Sequence, residues 1–212
     1  MCTSNRFLKG LISPLMLVLM LFFFAACYSF LDQYLVGLLV DLNLKEKAPV
    51  LIWITYLGNS LLYLTIFLLA ALFFRFVQHN KKWEARAWFL WLCVAFSNVI
   101  CGILKITLGR ARPGLWMQSH EFGFYGFKTS YDYWSFPSGH TTTIMSLAFG
   151  LSVLFPRYWV ILVSSAVVVA LSRVLLIQHY LSDVIVATYL ALIEVTILVC
   201  FLRKKKWLSE AC

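Results

Sequence analysis

The chain has 212 residues, of which 62% are hydrophobic and 13% are charged. A soluble domain of this length carries about twice that share of charge, which it needs to cover its core. The composition therefore excludes soluble, disordered and collagen-like proteins, and the length allows one domain over residues 1–212. The net charge of +9 accompanies much apolar sequence. We assign it to cytoplasmic loops and to binding of anionic phosphates, and we expect no nucleic-acid partner.

Six apolar stretches have about the length, roughly 17–25 residues, that crosses a hydrocarbon core. They are Leu11–Leu31, Val50–Phe74, Ala87–Leu108, His140–Phe155, Trp159–Leu176 and Val184–Leu202. A single helix over residues 157–202 would be about 69 Å long, so the chain must turn back at the polar cluster from Gln178 to Asp183. The sequence predicts an all-α integral membrane protein, with six transmembrane helices in one bundle and a long outward loop between helices 3 and 4.

Lysine and arginine indicate the orientation of this bundle. Eleven of them lie at the termini and in the second and fourth loops, and seven lie on the opposite side. Three of those seven are assigned to phosphate binding below. The positive-inside rule then predicts that both termini are cytoplasmic and that the loops at 32–49, 109–139 and 173–183 face the periplasm or exterior. The expected location is the cytoplasmic (inner) membrane.

The N-terminus also resembles a lipoprotein signal peptide, because Arg6 and Lys9 precede an apolar run that ends at Cys27. That run exceeds the signal core of about 7–15 residues and continues to Leu31, so we interpret it as a span. The six cysteines lie in spans or cytoplasmic ends and have no metal-ligand spacing. We therefore expect no external disulfide, no metal and no cofactor.

Three polar clusters lie at the outward ends of the predicted helices. The first runs from Lys105 to Pro113, the second is Phe136-Pro-Ser-Gly-His-Thr141, and the third contains Ser172, Arg173, His179 and Asp183. Charges against apolar segments are costly and indicate function. Together the clusters hold four cations and two histidines but only one carboxylate, so we expect an anionic ligand.

These residue types fit a phosphate. Arginine offers a planar fork and lysine a point charge, and Pro137 begins a helix whose first N–H groups bind anions. Arg110, in the same cluster, is interpreted as a solvated loop residue. The predicted phosphate-binding residues are Lys105, Arg112, Ser138, Gly139 and Arg173.

The two histidines and the carboxylate suggest phosphoryl transfer without a metal. His179 and Asp183 are four residues apart, so they share a face if the segment is helical. A carboxylate bonded to one imidazole nitrogen leaves the other nitrogen as a nucleophile. We predict His179 as the nucleophile that forms a phosphohistidine, Asp183 as its partner and His140 as the acid and base.

The clusters resemble the signature of the type 2 phosphatidic acid phosphatase superfamily: Lys-x6-Arg-Pro, Pro-Ser-Gly-His and Ser-Arg-x5-His-x3-Asp. The spacing agrees at every defined position from Lys105 to Asp183. The resemblance covers the last four spans and implies the same roles for the same residues. It also implies six helices, as in the bacterial membrane members. The superfamily includes vanadium haloperoxidases, but these are soluble and much larger, so we do not expect their activity here.

We therefore predict a lipid phosphatase that acts on a phosphate or diphosphate monoester at the outer face of the membrane. Candidate substrates are undecaprenyl diphosphate, phosphatidylglycerol phosphate, phosphatidic acid and lipid A phosphates. A phosphotransferase between lipids is one alternative. A transporter or scramblase that conducts anionic lipid through a cationic cleft is another. The sequence distinguishes neither the lipid nor the oligomeric state.

Two further features have open interpretations. The loop 114–136 holds nine aromatic residues, which either anchor it at the membrane interface or form a lid over a lipid entrance. Glu194 lies about 16 Å deeper than Asp183, near the middle of the bilayer. It is either a structural residue bonded to a group such as Asn98 or part of a proton path or substrate contact.

The predicted orientation can be tested with reporter fusions placed after Arg203 and near Ser119. Because cations concentrate on the side of Arg203, the two fusions should report opposite sides of the membrane, with Arg203 in the cytoplasm. A cytoplasmic signal from the fusion near Ser119 would overturn the orientation.

Overall fold

The structure, a computed structural model, describes residues 9–204. Within this range the chain forms helices and no β-strand, so the all-α class is confirmed. The helices are α1 (Pro14–Leu42), α2 (Leu44–Lys47), α3 (Val50–Tyr56), α4 (Ser60–Phe76), α5 (Lys81–Leu108), α6 (Pro113–Ser119), α7 (Gly139–Leu154), α8 (Trp159–Leu175) and α9 (Leu181–Lys204). Two short 3-10 turns lie at Tyr131–Tyr133 and Pro156–Tyr158.

Four of these helices, α1, α5, α8 with its preceding turn, and α9, are long and apolar enough to cross a membrane. The pair α3 and α4 makes a fifth if it is counted as one bent span. Helix α7, at the fourth predicted span (His140–Phe155), has only 16 residues. A multi-pass helical membrane protein is therefore supported, and the count of six remains a prediction.

Helix α1 extends beyond the predicted end at Leu31. An α-helix over Pro14–Ala26 passes through a π-helical turn at Cys27–Leu31 and continues as an α-helix over Asp32–Leu42. The N–H of Asp32 donates to the carbonyl of Cys27, which is the wide i to i−5 bond of a π-helix. The prediction of a loop over residues 32–49 is wrong for Asp32–Leu42, because these eleven residues are helical. The helix does not need to end at Asp32, because this carboxylate is buried against partners inside the bundle.

The predicted span Val50–Phe74 is also not one straight helix. Helices α3 and α4 meet at an angle of 46° across residues 57–59. The side chain of Asn59 accepts a hydrogen bond from the N–H of Leu61 and so begins α4 as an N-cap. Gly58 lies in this break and packs against His140. The break thus brings the second span into contact with the polar end of the bundle.

Helices α5, α7 and α9 form the centre of the bundle. Phe89, Val94, Leu147 and Val195 are among the buried residues of their shared apolar cluster. Close approach of helices in a membrane depends on small residues. Gly150 is an example, since a Cβ atom there would lie 3.0 Å from the sulfur of Cys93. This tight packing fixes the ends of the helices that carry the polar clusters.

The long loop between α5 and α7 is folded onto α1. The ring of Phe122 lies 4.6 Å from that of Tyr28, and Phe136 makes an edge contact with Phe24 at 5.7 Å. Phe127 and Tyr131 are exposed. The loop therefore has an inner aromatic layer that packs against α1 and an outer layer that remains available for either the anchor or the lid.

Glu194 is buried in α9, and its Oε2 atom has no hydrogen-bond partner among the described residues. Asn98, the example of a polar partner suggested for it, does not bond to it. The Asn98 amide donates instead to the carbonyl of Val94 and to the hydroxyl of Thr143.

Candidate active site

The eight predicted site residues lie at one end of the bundle. Lys105 is in the last turn of α5, and Arg112 directly precedes α6. Ser138 is the N-cap of α7. Gly139 and His140 lie in the first turn of α7, and Arg173 lies in the last turn of α8. His179 lies in the connection between α8 and α9, and Asp183 lies in the first turn of α9.

The turn between α8 and α9 occupies residues 176–180, where the polar cluster predicted it. Ile177 has a φ of 56°, in the left-handed region, and the N–H groups of Gln178 and His179 both donate to the carbonyl of Arg173. Asp183 falls inside α9, so only part of the predicted cluster forms the turn.

Hydrogen bonds draw these elements together around the carbonyl of Trp134. Lys105 Nζ donates to this oxygen at 2.7 Å and Arg112 Nη2 donates to it at 3.3 Å. Arg112 Nη1 also donates to the carbonyl of Gln178, the residue before His179. The charges of Lys105 and Arg112, together with that of Arg173, lie close enough to act on the ring of His140.

Three cations of the site pair with no carboxylate among residues 9–204. Lys105 and Arg112 donate only to carbonyl groups, and Arg173 Nη1 donates to the hydroxyl of Thr55 at 2.9 Å. Arg173 Nε is buried and has no hydrogen-bond partner in the described part of the chain. Burial lowers the pKa of Arg112, and the more distant charges of Tyr131, Asp183 and Asp132 oppose burial only in part. Such a cluster suits an anion that neutralises several positive charges at once.

Helix α7 contributes its N-terminus to the same point. Ser138 makes no side-chain capping bond, so the first N–H groups of α7 have no partner from a cap. A Cβ atom at Gly139 would lie 3.5 Å from Lys105 Cε. The positive end of a helix and the Lys105 ammonium thus lie side by side, as an anion site requires.

Arg110 is not the solvated loop residue that the sequence suggested, and that interpretation is wrong. Its side chain is 0% exposed. Its guanidinium donates to Asp183 Oδ1 at 2.5 Å and to Asp32 Oδ2 at 2.7 Å. Burial disfavours the charged form, but the carboxylates of Asp183 and Asp32 outweigh burial and raise the pKa of Arg110. The rings of Tyr28 and Tyr180 lie within 5.0 Å of the guanidinium carbon.

The tautomer of His179 is fixed by a different partner from the one expected. His179 Nδ1 lies 2.7 Å from the carbonyl oxygen of Ser135, and because this oxygen can only accept, Nδ1 carries the proton. Asp183 Oδ2 is farther away, at 3.6 Å. Asp183 instead accepts from the hydroxyl of Ser135 and from the N–H of Tyr180. Either way Nε2 keeps its lone pair.

His179 is also held in its neutral form. Burial lowers the pKa of its imidazole well below the usual range. The Asp183 carboxylate acts in the opposite direction, and the charges of Arg112 and Lys105 add to the effect of burial. A neutral imidazole with Nδ1 protonated has the nucleophilic form that phosphoryl transfer to histidine requires.

Sequence reasoning missed four residues that contact the site, namely Asp32, Thr55, Gly58 and Ser135. Thr55, Gly58 and Ser135 touch the predicted residues Arg173, His140 and His179 across a long sequence separation. Asp32 reaches Asp183 through Arg110. A signal existed for Asp32, because a carboxylate beside an apolar run is a natural partner for an unpaired arginine. For Thr55, Gly58 and Ser135 the sequence has no such sign.

Among the described residues, no three His, Cys, Asp or Glu side chains converge where they could hold a metal ion. The groups that meet in the site are cations, helix N–H groups and two imidazoles. This arrangement can bind a phosphate, place a nucleophilic nitrogen against it and supply a second histidine for proton transfer.

An apolar bundle with such a cluster at one end defines the chain as a helical membrane protein with cations and two histidines gathered at that end. The sequence model described as the PAP2 superfamily matches residues 86–207, and the chain belongs to that family. Its similarity to a solved structure, the transmembrane PAP2 type phosphatidylglycerolphosphate phosphatase from Bacillus subtilis, establishes the fold. The TM-score is 0.63 and the identity 24%, over 89% of this chain and 94% of the other.

Two curated relatives are similar over parts of the chain. A lipid A 1-phosphatase of Rhizobium johnstonii is 38% identical over 97 residues, which are 46% of this chain and 40% of the relative. A probable lipid phosphate phosphatase beta of Arabidopsis thaliana is 28% identical over 140 residues, which span 53% of this chain and 63% of the relative. The chain thus matches less than two thirds of the length of either relative.

The contact between Gly58 and His140 leads to a prediction. In Gly58→Ala the new Cβ would lie 2.7 Å from His140 Cβ, so His140 must move. We expect turnover of a lipid phosphate to fall at least about tenfold, equivalent to roughly 1.4 kcal/mol. The control is Gly102→Ala, because a Cβ at Gly102 meets no atom within 4 Å. Equal activity in both variants would show that the position of His140 does not matter.

Proposed function

We propose that this chain is a lipid phosphatase that hydrolyses a phosphate or diphosphate monoester through a phosphohistidine on His179. One observation carries the proposal. His179 has a free Nε2 lone pair beside three cations that no carboxylate neutralises among the described residues. An anion held by Lys105, Arg112 and Arg173 would present its phosphorus to that nitrogen.

The reaction would proceed in two displacements. His179 Nε2 attacks phosphorus and the bond from phosphorus to the lipid oxygen breaks, while His140 gives its proton to that oxygen. Water then attacks the phosphohistidine, His140 takes a proton from this water, and the phosphorus–nitrogen bond breaks to release phosphate. The cations and the N-terminus of α7 stabilise the charge of both pentacoordinate transition states. No step needs a metal ion.

An apolar cavity of about 380 Å³ supports a lipid as the substrate. It lies between the bent pair α3–α4 and the helices α7 and α8, and Ile54, Leu57, Ile144 and Leu147 are among its lining residues. Ile144 is one turn beyond His140 on α7, so the cavity extends away from the phosphate site. A hydrocarbon chain attached to the bound phosphate would fill it without burying polar groups.

The choice among lipids rests on the relatives. The names of the Rhizobium proteins make a lipid A phosphate the first candidate. The other candidates are undecaprenyl diphosphate, phosphatidylglycerol phosphate and phosphatidic acid. Lysine and arginine concentrate on the side opposite the site. We therefore propose a site at the outer face of the cytoplasmic membrane, with both termini in the cytoplasm.

A panel of these four lipids, assayed with purified protein in detergent and chelator, tests the function. We expect release of inorganic phosphate from at least one lipid, undiminished by the chelator because the proposed chemistry uses only side chains. A phosphotransferase would consume the donor and phosphorylate a second lipid without releasing phosphate. A scramblase would move lipid between leaflets and release nothing. Either of these results would contradict the proposal.

The two histidines can be separated by rapid-quench trapping with a labelled lipid. We expect His179→Ala to abolish both the labelled protein and turnover. His140→Ala should slow the first step strongly for an alkyl phosphate, and much less for an activated aryl phosphate whose leaving oxygen needs no proton. His79→Asn serves as a control, because His79 is exposed. Labelled protein in the His179→Ala variant would exclude His179 as the nucleophile.

A further inference from the structure

We propose that Asp32 is a positioning residue for the reaction, acting on Asp183 and His179 through Arg110. This inference rests on the proposed function. It means that α1 contributes a residue that affects the reaction. Asp32 lies outside residues 86–207, the segment that matches the family.

The contacts of Asp32 are complete and almost entirely buried. Its side chain is 1% exposed. Oδ2 accepts from Arg110 Nη2 at 2.7 Å and from the hydroxyl of Ser182 at 2.5 Å, while Oδ1 accepts from the N–H of Ser182 at 3.0 Å. The Ser182 hydroxyl in turn accepts from Arg110 Nη1. Asp32 therefore holds both the arginine and the first turn of α9, which carries Asp183.

The two arms of Arg110 are divided between two carboxylates. Nη2 binds Asp32 and Nη1 binds Asp183. If Arg110 had Asp183 as its only carboxylate partner, the two charges would cancel and His179 would lie beside a neutral pair. With two, the group of Asp32, Arg110 and Asp183 keeps one net negative charge, and Asp183 Oδ2 is the oxygen that lies beside His179.

That negative charge matters during the first displacement. When Nε2 bonds to phosphorus, the imidazole ring becomes positively charged, and a nearby negative group stabilises it in a site of low dielectric constant. Asp32 thus preserves the charge of Asp183 that Arg110 would otherwise cancel. Its effect should fall on the rate of phosphorylation and not on substrate binding.

A purely structural role for Asp32 is the competing explanation, because α1 makes few buried contacts. Leu15 and Phe22, for example, are more than two-thirds exposed. A second polar contact holds the segment just before α1, where the Tyr189 hydroxyl donates to the carbonyl of Leu11. This contact provides a control for anchoring, because it ties the start of α1 to α9 without involving Asp32 or Arg110.

The test measures kcat, KM and single-turnover phosphorylation of Asp32→Asn in full-length protein. We expect at least a tenfold loss in the phosphorylation rate with KM within about threefold. Asp41→Asn, an exposed carboxylate on the same helix, and Tyr189→Phe should both retain the rate of the unaltered protein. Activity of Asp32→Asn within twofold of the unaltered protein, or an equal loss in Tyr189→Phe, would overturn the proposal.

A double-mutant cycle with Arg110→Lys tests the route through Arg110. Lysine keeps the charge but can serve only one carboxylate well. If Asp32 acts through Arg110, the double variant should be no slower than Arg110→Lys alone, whereas multiplied losses would contradict that route. If Asp32→Asn does not fold, Ser182→Ala replaces it. This variant should lower kcat at unchanged KM, and unchanged kcat would overturn the proposal.

The activity of the unaltered protein distinguishes failure of the proposed function from failure of the role proposed for Asp32. If it releases phosphate from no lipid in the panel, the proposed function fails and the role of Asp32 fails with it. If it is active and Asp32→Asn is equally active, only the role of Asp32 fails.

Discussion

The buried guanidinium of Arg110 is the interaction on which the polar end of the molecule depends. It joins a carboxylate of the first helix to one of the last helix, and aromatic rings from both sides enclose it. Loss of one partner from such a buried charge group costs about 3–5 kcal/mol, because an uncompensated charge remains. The group thus fixes where α1, the long loop and α9 meet, and with them the position of His179.

The other three cations of the site differ from Arg110, because in the described part of the chain they contact neutral oxygens and not carboxylates. Lys105, Arg112 and Arg173 are oriented by neutral oxygens that neither cancel nor share their charge. The protein tolerates them because they lie at helix ends, where carbonyl groups and loop backbone replace part of the lost hydration. Arg110 pairs with two carboxylates, whereas the other three cations of the site pair with none among residues 9–204. That contrast is the main electrostatic feature of the site.

The sequence predicted the all-α class and the residues that the structure brings to one end of the bundle, but not the contacts that hold them there. The lengths of the apolar runs located the helices, and the polar cluster near His179 located the last turn, because bilayer thickness limits helix length. The roles of Arg110 and Asp32 could not be predicted, because each depends on a partner more than seventy residues away in the sequence. The break at Gly58 was not predicted, because it lies within an apolar run long enough to be one span. Gly58 and Asn59 are nevertheless typical turn residues.

The cavity beside α7 has a consequence for how a lipid reaches the site. Leu57 and Val168 in its lining are about half exposed. The lipid substrate proposed above would enter between them from within the plane of the bilayer and bring its phosphate to the cations. Its supply is then set by its mole fraction among neighbouring lipids. Adding inert lipid to the same membrane slows such an encounter, even though the amount of substrate per volume is unchanged.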